Sequence, residues 1–233
     1  MIVLITPTGG RSRQFNLCCN WMRKQTYTGK VLWIIVDDCI PRTTLNIEPF
    51  PKNWTIITKY PSPIWRNGDN TQSRNLKVGI DIIKSIPKKQ VEGIFIIEDD
   101  DYYSPVYLEK MVVKLEGFTI AGEIYTMYYH IGEKKYRGDA NVYHTSLFQT
   151  AFKTEAIPAF ELSYGNKFID IEFFKHVTNV NLFPREDLAI GIKGMNGRGG
   201  IGGGHRRTMY KGLPDYNLAK LKEFIGEDYK YYK

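Results

Sequence analysis

Four consecutive acids, Glu98, Asp99, Asp100 and Asp101, close a short apolar run that begins at Gly93. Two carboxylates about 4 Å apart repel by about 1 kcal/mol in water and about 4 kcal/mol at an effective dielectric of 20. Four together demand a cation, a proton or full solvation. A hard divalent ion, Mn²⁺ or Mg²⁺, meets that demand, because such ions take oxygen ligands and keep positions open for phosphate. The competing reading is an acidic turn in water. The abruptness of the change from buried run to acids speaks against it.

Other groups of the right chemistry are spread along the chain. Thr6-Pro7-Thr8-Gly9-Gly10-Arg11 follows an apolar run and offers backbone N–H groups and a guanidinium to an anionic or nucleotide ligand. Asp37 and Asp38 end a second apolar run. Asp170 and Glu172 lie in Phe168-Ile-Asp-Ile-Glu-Phe-Phe-Lys-His176. Eight of the fourteen residues from Gly191 to Gly204 are glycine, and His205, Arg206 and Arg207 follow at once. So many glycines exclude regular structure over most of that span and suit a loop that closes over a ligand.

The elements that must position these groups follow from periodicity. Ile2–Thr6, Val31–Val36, Thr55–Thr58 and Ile94–Ile97 read as strands, the first, second and fourth of them buried. Side chains alternate along a strand, which sends Glu98 and Asp100 to one side and Asp99 and Asp101 to the other. Ser12 is placed to cap a helix buried through Phe15, Cys18, Cys19 and Met22, and Asn70–Ile86 reads as a second helix. Further on, a short helix is expected from Pro105 to Val113, a strand at Tyr125–Tyr129, a strand-rich piece at Asn141–Lys153, and a helix opening at Phe168. Strands alternating with helices predict an α/β fold with a mostly parallel sheet flanked by helices. Ligands of such sheets gather at the carboxyl ends of the strands, where three of the polar clusters converge.

The 233 residues fit one two-lobed domain, and no apolar stretch approaches the length that spans a bilayer. With a first strand expected at Ile2, no cleavable leader is expected. Cys18, Cys19 and Cys39 are odd in number and lack metal-type spacing. They are expected as reduced core thiols of a cytoplasmic protein. The formal net charge is +7, and residues 193–233 carry nine Lys/Arg against four Asp/Glu. That asymmetry suits an anionic partner.

Together, Thr6-Pro7-Thr8, Ile35-Val36-Asp37-Asp38, Glu98-Asp99-Asp100 and Phe168-Ile-Asp-Ile-Glu172 resemble, in order, the motifs of GT-A fold glycosyltransferases of the family 2 type. The resemblance implies a Rossmann-like catalytic domain over 1–233, with residues 1–101 binding a nucleotide-sugar and 102–233 binding the acceptor. It also implies Mn²⁺ or Mg²⁺ held by Asp100, with Asp101 as alternative ligand if the register is Asp99-x-Asp101, and His205 meeting the metal or the diphosphate. Glu98 takes the ribose or supports a ligand. Asp37 or Asp38 contacts base or ribose, and Thr6, Pro7 and Arg11 border the base. Arg206 or Arg207 steadies the departing diphosphate. The family's Glu-Asp pair appears here as Ile169-Asp170, which makes Asp170 the expected general base and leaves Glu172, Glu155 and Asp187 as substitutes. Uridine is the family's commonest nucleobase, and inversion its implied outcome.

The short phage enzymes of this type suggest a 5-hydroxymethylpyrimidine in DNA as acceptor. A cell-surface glycan precursor is the competing acceptor. A nucleotidyltransferase shares the layered sheet, but the loop at Thr6–Arg11 only partly fits its signature. A non-enzymatic nucleic-acid-binding protein would use the basic tail and the sixteen tyrosines. It leaves the acids unexplained, since carboxylates repel phosphate.

Overall fold

The computed structural model describes residues 1–43, 49–196, 198 and 211–232. His205, Arg206 and Arg207 lie outside the described residues, as do Gly197 and 199–204. In chain order the elements are β1 (Ile2–Thr8), α1 (Ser12–Arg23), β2 (Val31–Asp37), β3 (Trp54–Lys59), α2 (Gln72–Lys84), β4 (Gly93–Ile96), β5 (Tyr102–Tyr103) and α3 (Tyr107–Leu115). There follow β6 (Ile120–Glu123), β7 (Tyr125–His130), β8 (Lys135–Ala140), β9 (Thr150–Phe152), α4 (Ile157–Leu162), α5 (Ile169–Phe174), β10 (Val180–Phe183), β11 (Ala189–Lys193), β12 (Leu213–Pro214) and α6 (Ala219–Ile225).

The main sheet has seven strands in the order β10-β6-β9-β4-β1-β2-β3. All its pairings are parallel except those of β9, which runs antiparallel to both β4 and β6. Alternation along β1 shows why helices cover both faces. Ile2 and Leu4 join Phe15 and Trp21 of α1, with Trp33, in one core. Val3 and Ile5 join Leu76, Ile80 and Ile83 of α2 in the other. Each such side chain taken fully from water stabilises the fold by about 1.5–3 kcal/mol. The α/β architecture with a mostly parallel sheet is therefore the observed one.

A second sheet, β12-β8-β7-β11-β5, stands beside the first and is built wholly from residues after 101. Its presence corrects several expectations. Asn141–Lys153 contributes only the short β9 and a 3₁₀ turn at Leu147–Gln149. β11 runs through Gly191 to Lys193, so the start of the glycine-rich run is a strand. α1 begins at Ser12 itself, with Arg11 at the cap position and no side-chain capping bond. Cys18 and Cys19 are buried free thiols, whereas Cys39 is only half-buried. Among the described residues no helix is long and apolar enough to cross a membrane.

Candidate functional site

β4 stops at Ile96, and the acids form a turn in which Asp101 N donates to Glu98 O at 3.3 Å. The turn replaces strand alternation, so the expected pairing of Asp99 with Asp101 does not occur. Carboxylate oxygens of Glu98, Asp100 and Asp101 lie within 4.8 Å of one another. Asp99 turns toward β1, where Thr8 Oγ1 donates to its Oδ2 at 2.6 Å.

Two cations of the chain itself meet this charge. Arg11 sets Nη1 3.1 Å from Asp99 and Nη2 2.5 Å from Asp100. Lys193, at the end of β11, lies 3.5 Å from Asp101 Oδ1, which also accepts from Ile192 N at 2.7 Å. Burial works against both cations, but the surrounding carboxylates outweigh it and raise their pKa values. Burial likewise dominates the acids. It pushes Asp99 up to about 6 against the pull of Arg11, and raises Glu98 and Asp101 against the pull of Lys193.

The donor set fits a hard divalent cation. Three carboxylates converge, and Asp101 Oδ2 is buried without a hydrogen-bond partner among the described residues. With all four acids ionised, Arg11 and Lys193 cancel two of the four charges, and one divalent ion would cancel the rest. Glu98 is oriented by Gln72, whose Nε2 donates to Oε1 at 2.6 Å.

The neighbouring strand ends carry the other expected residues. Thr6 is buried and accepts from Trp33 Nε1 at 2.9 Å, so its hydroxyl belongs to the core rather than the site. Pro7 is half-buried within β1. Arg11, expected at the base, has its guanidinium on the acids instead. Asp37 accepts from Cys39 N at 3.2 Å and Thr43 N at 2.8 Å, which shapes the turn after β2. Asp38 accepts from Arg198 at 2.6 Å, Asn75 at 2.8 Å and Arg74 at 3.2 Å, and from Thr71. Burial would raise its pKa, but those hydrogen bonds hold it below the usual value.

Asp170 is half-buried in the first turn of α5. Its charge helps raise the pKa of both Glu98 and Tyr128, so Asp170 lies within electrostatic reach of the acid cluster. Its own pKa is raised by burial, against the pull of the Ile171 amide and His144. The substitute bases sit at the exposed surface or are held there by cations. Glu172 pairs with Lys175 and His176, Asp187 with Arg185, and Glu155 is exposed.

Lys193, Gln72, Arg198 and Tyr128 were not anticipated. Lys193 alone left a readable trace, as a lone cation closing an apolar pair before the glycines.

No protein-family model matches this chain, and no curated protein matches it in sequence. Solved structures share its fold. Staphylococcus aureus TarS aligns with a TM-score of 0.58 at 10% identity, over 82% of this chain and 36% of TarS. TarS 1–349 in complex with UDP-GlcNAc aligns with a TM-score of 0.59 at 12% identity, over 82% of this chain and 58% of that one. The same TarS segment in complex with UDP gives 0.59 at 11% identity, over 82% and 60%. This chain thus spans 60% or less of each of these proteins. The shared architecture is the GT-A glycosyltransferase fold.

Proposed function

We propose that this protein transfers a sugar from a nucleotide-sugar, a UDP-sugar first among them, to a hydroxyl acceptor. The observation that carries the reading is the convergence of Glu98, Asp100 and Asp101 just past the carboxyl end of β4. It gains support from the fold, since TarS was crystallised with UDP-GlcNAc and with UDP.

In this reading residues 1–101 bind the donor and 102–233 the acceptor. Glu98, Asp100 and Asp101 hold Mn²⁺ or Mg²⁺, which when bound supplies positive charge to the departing diphosphate. Arg11 and Lys193 align the acids and pull them toward the ionised form, against the burial that raises them. Asp37 and Asp38 border the nucleoside. Asp170 accepts the proton of the attacking hydroxyl, and its raised pKa suits that role near neutral pH. Attack from the face opposite the diphosphate inverts the anomeric carbon. The net charge of +7 favours a polyanionic acceptor, and a 5-hydroxymethylpyrimidine in DNA is the first to test.

The experiment is a screen of UDP-sugars for hydrolysis with Mn²⁺, Mg²⁺ and a chelator. Metal-dependent release of UDP supports the reading, and none from any nucleotide-sugar rejects it. Transfer of labelled sugar to hydroxymethylated DNA, falling steeply with salt, identifies the acceptor. Transfer only to a neutral glycan reassigns it.

A further inference from the structure

Where the two sheets meet, a chain of polar side chains leads away from the site and has no part in the reading above. Glu123 ends β6 and is buried. Gln149 Nε2 donates to Glu123 Oε2 at 2.7 Å, and Thr126 Oγ1 donates to Gln149 Oε1 at 2.7 Å. Ser146 Oγ lies 3.1 Å from Thr126 Oγ1 and 2.7 Å from the Tyr128 hydroxyl.

A hydroxyl carries one proton, which fixes the direction of the whole chain. Thr126 gives its proton to Gln149, so it accepts from Ser146. Ser146 has then spent its proton and accepts from Tyr128. With Glu123 ionised, donation runs Tyr128, Ser146, Thr126, Gln149, Glu123. Both ends matter to the site. The Tyr128 ring lies 5.4 Å from Lys193 Nζ, and its hydroxyl senses the charges of Asp101 and Asp170. Glu123 Oε1 accepts from Glu186 N and Leu188 N, each at 3.1 Å, in the turn that feeds β11 and Lys193. Gln149 also donates to Ala189 O at 3.2 Å, at the first residue of β11.

We propose that Glu123 is a positioning residue for this site, setting the direction of the Tyr128 proton through the chain and seating the strand that carries Lys193. Its consequence for turnover rests on the glycosyl-transfer reading; the chain of hydrogen bonds does not. Ionised Glu123 can only accept. Once it must donate, the Gln149 amide turns over, releases Ala189 and reverses every hydroxyl out to Tyr128. Burial pushes the pKa of Glu123 up to about 7, against the two turn amides, so both directions are accessible near neutrality. The charged and titratable groups facing it are Glu186 and Asp187, which favour its protonated form, with Arg185 on the same turn and Tyr107 on α3.

The test is NMR of protein labelled with ¹³C at the tyrosine Cζ, with Tyr128 assigned from Tyr128→Phe. In the parent protein the Tyr128 signal should titrate with a midpoint near 7. In Glu123→Gln, and in Ser146→Ala where the chain is cut but Glu123 remains, it should stay flat. A flat signal in the parent, or an unchanged titration in Glu123→Gln, overturns the proposal. Glu123→Gln and Tyr128→Phe should each lower kcat for donor hydrolysis roughly tenfold at unchanged KM, and the double variant should be no slower than either. Additive losses overturn the coupling to turnover. If the NMR behaves as expected but the parent hydrolyses no nucleotide-sugar, the chain stands and the transferase reading falls.

Discussion

Arg198 reaches from the glycine-rich run to Asp38 across 160 residues of sequence, with Nη1 2.6 Å from Oδ1. The same nitrogen donates to Gly9 O at 3.2 Å, and the guanidinium lies 4.3 Å from the centre of the Trp65 ring. One side chain thus ties Arg198 to the ends of β1 and β2.

Arg198→Ala should cost about 1–2 kcal/mol of stability in urea unfolding. That is less than the 3–5 kcal/mol of a fully stranded buried charge, because Arg74, Asn75 and Thr71 still hold Asp38. UDP affinity by calorimetry should fall roughly tenfold, as the Trp65 ring loses the guanidinium that packs on it. Unchanged affinity would detach this end of the site from the donor.

Asp100→Ala should abolish metal-dependent donor binding. Its fold should survive, since Arg11 keeps Asp99 and the remaining carboxylates repel less. Calorimetry with UDP and Mn²⁺, beside a melting curve of the metal-free protein, separates the two effects. Full metal-dependent binding in Asp100→Ala would remove that residue from the cation site.

Asp170→Asn should bind the donor as the parent does yet transfer nothing. In the parent, kcat/KM for transfer should rise with pH through a midpoint above the ordinary carboxylate range, because burial raises Asp170. Transfer by Asp170→Asn at the parental rate would send the search for the base elsewhere.

Glu123 gives a prediction about stability. Its folded pKa, about 7, lies above the ordinary value of 4.5. Between those pH values the folded state binds more protons than the unfolded one, so stability from this group falls as pH rises. Glu123→Gln should flatten that part of the parent's stability profile, measured by urea unfolding at several pH values. Parallel profiles for the two proteins would mean that Glu123 titrates normally.

Much of the frame could be read from residue order. β1, β2 and β4 are apolar runs rich in β-branched residues, α1 and α2 show one apolar stripe each, and the acids stand where a buried strand ends. What escaped reading depends on contacts between distant residues. The direction of Asp99 comes from a turn and from Thr8, 91 residues away. Thr6 faces inward because Trp33 needs an acceptor. β11 hid behind its glycine, although Gly191 is where the Tyr128 ring packs and a Cβ would collide. β8 has no buried residue to advertise it, and exists by pairing with β7.

The antiparallel β9 bears on how the chain reaches this state. β1 to β4 come from the first 96 residues and can assemble side by side as soon as they are made. β6 cannot join them directly, because β9 lies between β4 and β6 and is synthesised some thirty residues later. Until Thr150–Phe152 docks, the edge of β4 stays open, and until the later β11 is in place the acids past the end of β4 lack the Lys193 that faces Asp101. Closure over such sequence distances is slow compared with local pairing. The nascent protein therefore passes through a stage with an unpaired strand edge, where association with other chains competes with folding.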